Sequence, residues 1–157
     1  MFLEIKPLYG VGPIKFGMTS QEVQDAMKES CGNEYKYSRS GDTDYFFGSA
    51  LEVSYDDEGK AEFIGTQYYL GCGCDFILYG IDPFSLEASA LFEHIASQQL
   101  GSHIFDPADY LFRDAIITLW NSDEQYDHKG GEQKPVYAQV GVGNDIYLHA
   151  IDKIEKA

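Results

Sequence analysis

Positive charge is what this chain has least of. Eleven lysines and arginines stand against 26 aspartates and glutamates, a net charge of −15, and the only arginines are Arg39 and Arg113. A field of that sign repels phosphate backbones and anionic lipid, so neither nucleic acid nor a membrane is expected as a partner, and a basic molecule is. No apolar run approaches the roughly 20 residues that a membrane-spanning helix needs. The opening "FLEIKPLYGVG" has neither the basic leader nor the long apolar stretch of a secretory signal. The three cysteines, Cys31, Cys72 and Cys74, are an odd number. With no signal, they predict free thiols in a reducing, cytoplasmic compartment.

Catalytic signatures are also missing. "YGVGPIKFG" and "VGVGND" contain G-x-G but lack the third glycine of a dinucleotide site, and no G-K-[ST] follows. No G-x-S-x-G elbow occurs. The four histidines, His94, His103, His128 and His149, form no H-E-x-x-H pair. Asp42 and Asp44 have calcium-loop spacing, but the sixth position is Phe47 rather than glycine and the twelfth is Val53 rather than an acid. No catalytic residue, metal ligand or cofactor is assigned. The one chemical alternative is "CGC", Cys72 to Cys74, as the centre of a small-molecule or metal-binding domain or an enzyme. Zinc sites usually use C-x₂-C and two further ligands, and no second cysteine pair is present.

What the chain does have is core-forming material. Its 157 residues are 44% hydrophobic and 15% aromatic, enough for one small packed domain. Thr19 and Glu22 make a T-x-x-E capping box, with Met18 and Val23 placed as a hydrophobic staple. Val23, Ala26 and Met27 then share a helical face, and Gly32 stops the helix. Leu51, Val53 and Tyr55 alternate with Glu52 and Ser54, which predicts a half-buried strand over 45–55. "DDEGK" reads as a turn, "AEFIGTQYYL" as the returning strand, "GCGC" as a loop and "DFILYGI" as a further strand. A second helix is expected from Asp82 as cap and Pro83 at the first position, with Ala88, Leu91, Phe92 and Ile95 on one face. Strands are then expected over 110–120, 135–143 and 145–151, the first two separated by a long polar loop.

A constant offset of 65 residues lays "DYFFGSAL" on "DYLFRDAI". Asp44, Tyr45, Phe47 and Ala50 meet Asp109, Tyr110, Phe112 and Ala115, and Val23, Ala26 and Met27 meet Ala88, Leu91 and Phe92. One shift that aligns a helical stripe and a strand together predicts a tandem duplication. The expected fold is therefore α+β: two tandem modules, each a helix followed by antiparallel strands, packed as one small domain. The first repeat covers about 12–79 and the second 80–151.

"IKFGMTSQEV", Ile14 to Val23, resembles the I-x-x-G-M-T-x-x-x-V opening of a group of small bacterial modules. These include the repeats of beta-lactamase inhibitory protein and the small lipoprotein of the outer-membrane barrel assembly machinery. The chain also looks like cytosolic immunity-type or uncharacterised bacterial proteins. The resemblance implies tandem helix-plus-sheet modules and a habit of binding other proteins through a sheet. The chain departs from the pattern in having "DPFS" where the second module would repeat G-M-T, and no lipid-attachment cysteine near its start. No functional residue carries over.

Aromatic and acidic residues recur together at predicted strand ends, in "GDTDYFF", "SYDDEGK" and "LWNSDEQYD". Rigid aromatic anchors ringed by charge make a binding rim. The candidate partner-binding residues are Asp42, Asp44, Tyr45, Asp56, Asp57, Glu58, Trp120, Asp123 and Glu124. The expected function is a non-enzymatic protein-binding module, a cytosolic immunity or inhibitor protein that masks a basic protein toxin.

Overall fold

The computed structural model describes residues 1–122, 124–126, 129 and 133–156. Three short N-terminal strands, β1 (Phe2–Lys6), β2 (Gly10–Val11) and β3 (Ile14–Lys15), lead into α1 (Ser20–Cys31). The capping box is formed: Glu22 N–H donates to Thr19 Oγ1 at 3.3 Å, and Thr19 N–H donates to Glu22 Oε1 at 3.1 Å. Gly32 ends the helix with φ of 61°, and Val23, Met27 and Cys31 form the buried stripe. Four strands follow: β4 (Ser38–Ser40), β5 (Thr43–Phe46), β6 (Leu51–Tyr55) and β7 (Ala61–Thr66). β8 (Asp75–Leu78) then leaves this run and pairs in parallel with β1 in a separate small sheet ordered β3-β2-β1-β8.

The second half repeats the plan with α2 (Ala88–Ala96), β9 (Asp109–Phe112) and β10 (Ile117–Trp120). A small hairpin, β11 (Glu124–Tyr126) with β12 (Gln133–Pro135), occupies the long polar loop before β13 (Gln139–Gly143) and α3 (Asp145–Lys156). The chain is thus a small α+β domain in which each of two modules has a helix followed by antiparallel strands. No described helix is long and apolar enough to cross a membrane.

The large sheet is ordered β4-β5-β6-β7-β13-β10-β9. It carries one three-stranded meander from each half, β5-β6-β7 and β9-β10-β13, joined edge to edge by the antiparallel pair β7–β13. Leu51 pairs with Thr66 in one meander and Ile117 with Val142 in the other. Both sit just after a four-residue turn, at 47–50 and 113–116. The ladder therefore equates Leu51 with Ile117 and Phe46 with Phe112, an offset of 66 residues, one more than the sequence identities give.

Four predicted elements differ. Residues 45–55 and 110–120 are each a hairpin rather than one strand. Phe47 and Gly48 adopt φ of 55° and 67° and reverse the chain, and Ile116 at 51° does so in the second module. Phe47 is held there by its buried ring and by its N–H, which donates to Tyr35 O at 2.7 Å. Asp82 does not cap α2. Its Oδ1 accepts from Phe84 N–H at 2.9 Å in a separate turn, and the helix begins after Glu87. Residues 145–151 are helical, not a strand. Asn144 Oδ1 accepts from Tyr147 N–H at 3.1 Å, which starts α3, and Tyr147, Ile151 and Glu155 then recur at a spacing of four.

Side chains alternate across the sheet. Phe46, Leu51, Val53, Ile64, Phe112, Ile117, Leu119, Val140 and Val142 share one buried cluster with the stripes of α1 and α2. Phe92 of α2 sits 5.1 Å from Phe112 and 4.8 Å from Tyr110, centroid to centroid. The other face carries Tyr45, Glu52, Phe63, Thr118 and Trp120. Here α3 packs, with Tyr147 stacked on Phe63 at 4.6 Å. Arg113 Nη2 donates to both oxygens of Asp152 on α3, at 2.8 and 2.9 Å.

At the centre of the β7–β13 pair, Gly65 faces Gly141. A Cβ at Gly65 would lie 2.7 Å from Gln139 Nε2 and from Glu52 Oε1, and one at Gly141 would lie 2.5 Å from Phe63 Cζ and Thr118 Oγ1. In the ladder, Glu52 corresponds to Thr118 and Phe63 to Gln139, so the two glycines are covered by equivalent positions. Gly141→Ala is expected to lower stability by about 1–3 kcal/mol, because the new methyl meets a ring packed under α3. Urea denaturation of Gly141→Ala alone and in a Phe63→Leu background tests this. Steric crowding requires a smaller loss in the second background.

Candidate functional site

The candidate rim residues do not form one patch. Asp42 is exposed in the β4–β5 turn, and Asp57 and Glu58 are exposed in the β6–β7 turn. Asp56 is half-buried and serves its own turn, its Oδ1 accepting from Glu58 N–H at 2.9 Å and Lys60 N–H at 3.0 Å. These turns lie at the end of the sheet where Thr43 pairs with Ser54. Trp120 lies at the opposite end, paired with Gln139 beyond the Val140–Thr66 pair, and is 55% exposed. The two ends are those that the arrangement of the meanders makes equivalent. Tyr45 is half-buried on the outer face beside Glu52. Asp123 and the side chain of Glu124 lie outside the described residues, as does His128.

Asp44 is a correction. It is 0% exposed and cannot meet a partner. Its Oδ2 accepts from Ser20 Oγ at 2.6 Å and from Tyr55 Oη at 2.5 Å. Its Oδ1 accepts from Tyr37 Oη at 2.9 Å and from Arg39 Nη1 at 2.6 Å. Burial by itself would raise its pKa, but the four donors together outweigh burial and hold the carboxyl below its ordinary range. Burial and the same carboxylate push the Tyr55 hydroxyl up, so it stays a donor. The cluster ties the start of α1 to β4, β5 and β6. Alternation could have found it, since Asp44 has the parity of Phe46 and points inward with it.

The cysteines are packed rather than displayed. Cys72 and Cys74 are 1% and 2% exposed, and Cys31 is also buried, its Sγ 3.2 Å from Met1 Sδ. Cys72 Sγ is 3.1 Å from Cys74 O. Burial pushes the Cys74 thiol up to about 12. Among the described residues no group of three His, Cys, Asp or Glu side chains is placed to hold a metal ion. His94 Nε2 is 3.0 Å from Tyr79 O, and His103 Nδ1 is 2.7 Å from Tyr110 Oη.

The feature that sequence reasoning missed is a groove of about 470 Å³ between α3 and the outer face of β9 and β10. Its floor is Phe63, Leu111, Thr118, Trp120 and Gln139, its wall is Tyr147 and Ile151, and Asp109 and Glu155 stand at its margins. It exists only because 145–156 is a helix lying across the sheet. Read as a strand, that segment gives no wall.

Two outcomes are expected. Asp44→Asn should cost about 3 kcal/mol, since an amide cannot accept all four bonds and leaves buried donors unmet. Because folding lowers this carboxyl's pKa below 3.8, its contribution is complete above that value and is lost as pH falls through the lower, folded one. Urea titrations from pH 7 to 3 on both proteins should therefore show a constant difference above pH 4 that begins to narrow as the pH falls below 3.8. Separately, a thiol reagent at pH 8 should leave all three cysteines unmodified in the native protein and react with all three in denaturant. Rapid native labelling at Cys72 or Cys74 would contradict their burial.

Comparison of this chain with protein-family models, with curated proteins and with solved structures finds no match.

Proposed function

We propose that this chain is a non-catalytic protein-binding module, an immunity or inhibitor protein that masks a basic protein toxin in the cytoplasm. The observation that carries the reading is the groove beside α3: a largely apolar lining with an exposed tryptophan, two carboxylates at the margin and no lysine, arginine or histidine. It sits on a chain of net charge −15. Aromatic anchors inside a charged rim are the arrangement by which protein interfaces combine hold with steering.

The resemblance of "IKFGMTSQEV" to the openings of inhibitory tandem modules supports the same reading. So does the order of the large sheet, in which two like meanders meet at β7 and β13. We read that order as the product of a tandem duplication, with the repeats at about 12–79 and 80–151. The alternative centred on Cys72 and Cys74 would have to act through thiols that are buried and directed at backbone carbonyls.

The test is binding to the basic protein encoded by the adjacent gene. Association should slow as salt rises from 0.1 M to 1 M, because the Debye length falls from about 10 Å to about 3 Å. The off-rate should change less, since rim charges steer more than they hold. Asp57→Asn with Glu58→Gln should lower the on-rate in the same direction. Failure of any basic neighbour-encoded protein to bind, or a salt-independent on-rate, removes the argument.

A further inference from the structure

We infer that the groove between α3 and the β9–β10 hairpin is a receptor for a single arginine side chain of a partner protein. The inference rests on the protein-binding reading and names its central contact. Trp120 and Asp109 are directly paired across neighbouring strands. With the alternation of the sheet, both side chains stand on the outer face, at the Cβ separation of about 4.5–5.5 Å that such pairs have. An indole face with a carboxylate beside it is a complete site for a planar cation. The ring quadrupole attracts the guanidinium, and the carboxylate takes its N–H fork. Glu155 of α3 lines the same groove and adds a second acceptor.

Arginine is favoured over lysine by the lining. Phe63, Leu111, Tyr147 and Ile151 make the groove largely apolar. A weakly hydrated guanidinium enters such a place more readily than a strongly hydrated ammonium, and it stacks on an aromatic face where an ammonium cannot. The volume of about 470 Å³ lies within the range of about 300–1,000 Å³ usual for ligand sites, room for an arginine with part of its neighbouring residues.

The occupant has to come from another molecule. Both arginines of this chain are engaged, Arg39 with Asp44 at 2.6 Å and Arg113 with Asp152 at 2.8 Å. Among the described residues no cation lies over the Trp120 ring, and neither Asp109 nor Glu155 makes an ion pair. The second acidic depression, by Asp57, Glu58 and Glu62, is different. It is lined by Lys153 and His149 and by no tryptophan, tyrosine or phenylalanine.

Trp120 is the only tryptophan, so its fluorescence reports its own surroundings, this groove and the depression beside Pro107 and Ser122, and the Asp109 variant assigns a response to the groove. The probe is the blocked peptide acetyl-Leu-Arg-Leu-amide, compared with peptides carrying lysine or neutral citrulline in place of arginine. The arginine peptide should change the fluorescence saturably, the lysine peptide should bind several-fold more weakly, and the citrulline peptide should have no saturable effect. Asp109→Asn, an exposed substitution whose folding is checked by thermal melting, should weaken the arginine peptide about tenfold, the loss expected for one charge-assisted hydrogen bond. Glu29→Gln, an exposed substitution on α1, should leave it unchanged. Equal responses to arginine and citrulline, no saturable response, or indifference to Asp109→Asn would overturn the receptor. Titration of the basic neighbour-encoded protein against wild type and Trp120→Leu separates the two readings. Binding that Trp120→Leu leaves intact overturns the groove and keeps the protein-binding function, whereas peptide binding with no protein partner does the reverse.

Discussion

The architecture depends on one pairing, that of β7 with β13, and on two glycines at its centre. Every other part of the large sheet belongs to one module or the other, and only this ladder joins them. Gly65 and Gly141 sit opposite each other, and side chains from neighbouring strands close over both. Glu52 and Gln139 meet above Gly65 in a hydrogen bond of 2.6 Å, while Phe63 and Thr118 cross above Gly141. A side chain at either glycine would lift these covers. Phe63 would then lose its seat under Tyr147, and α3 its contact with the sheet. The outer face is shaped from this point.

The acidic residues divide into two populations with different physics. Asp44 is fully buried and saturated with donors, so its charge is spent on joining α1 to three strands. Asp152 is committed to Arg113, which pins α3 over the β9–β10 turn. Asp57, Glu58, Asp109 and Glu155 are exposed, and none of them makes an ion pair among the described residues. Glu62 shows the cost of crowding: burial first, then Asp56 and Asp57, raise its carboxyl above the ordinary value. Net charge alone does not distinguish these roles. Burial does.

The local code was legible wherever a few neighbouring residues decide the outcome. The T-x-x-E box placed the start of α1 correctly because capping is a bond between residues three apart. The stripes Val23–Met27 and Leu91–Phe92–Ile95 were readable because helix periodicity needs no partner. The strand patterns were readable too, but not their turns. "FFGSA" reads as a continuation of a strand, since Phe47 takes a left-handed conformation only when its ring is buried and its N–H finds Tyr35. The identities at an offset of 65 misplace the ladder by one residue, since the pairing sets Phe46 and Leu51 against Phe112 and Ile117, an offset of 66 on both sides of the turn.

By itself the sequence determined the α+β class, the capped first helix, the apolar faces and the acidic balance, all of which follow from composition or short-range periodicity. Only the tertiary structure decided the rest. It sent Asp44 inward and left Trp120 outside, because each strand's register sets which parity faces the core. It made 145–156 a helix, since Asn144 caps it and the sheet offers Phe63 as a platform. That helix walls the groove, and no stretch of the chain contains the groove by itself. Its floor comes from β7, β9, β10 and β13 and its wall from α3, residues brought together from 63 to 155 by the pairing of two modules at Gly65 and Gly141.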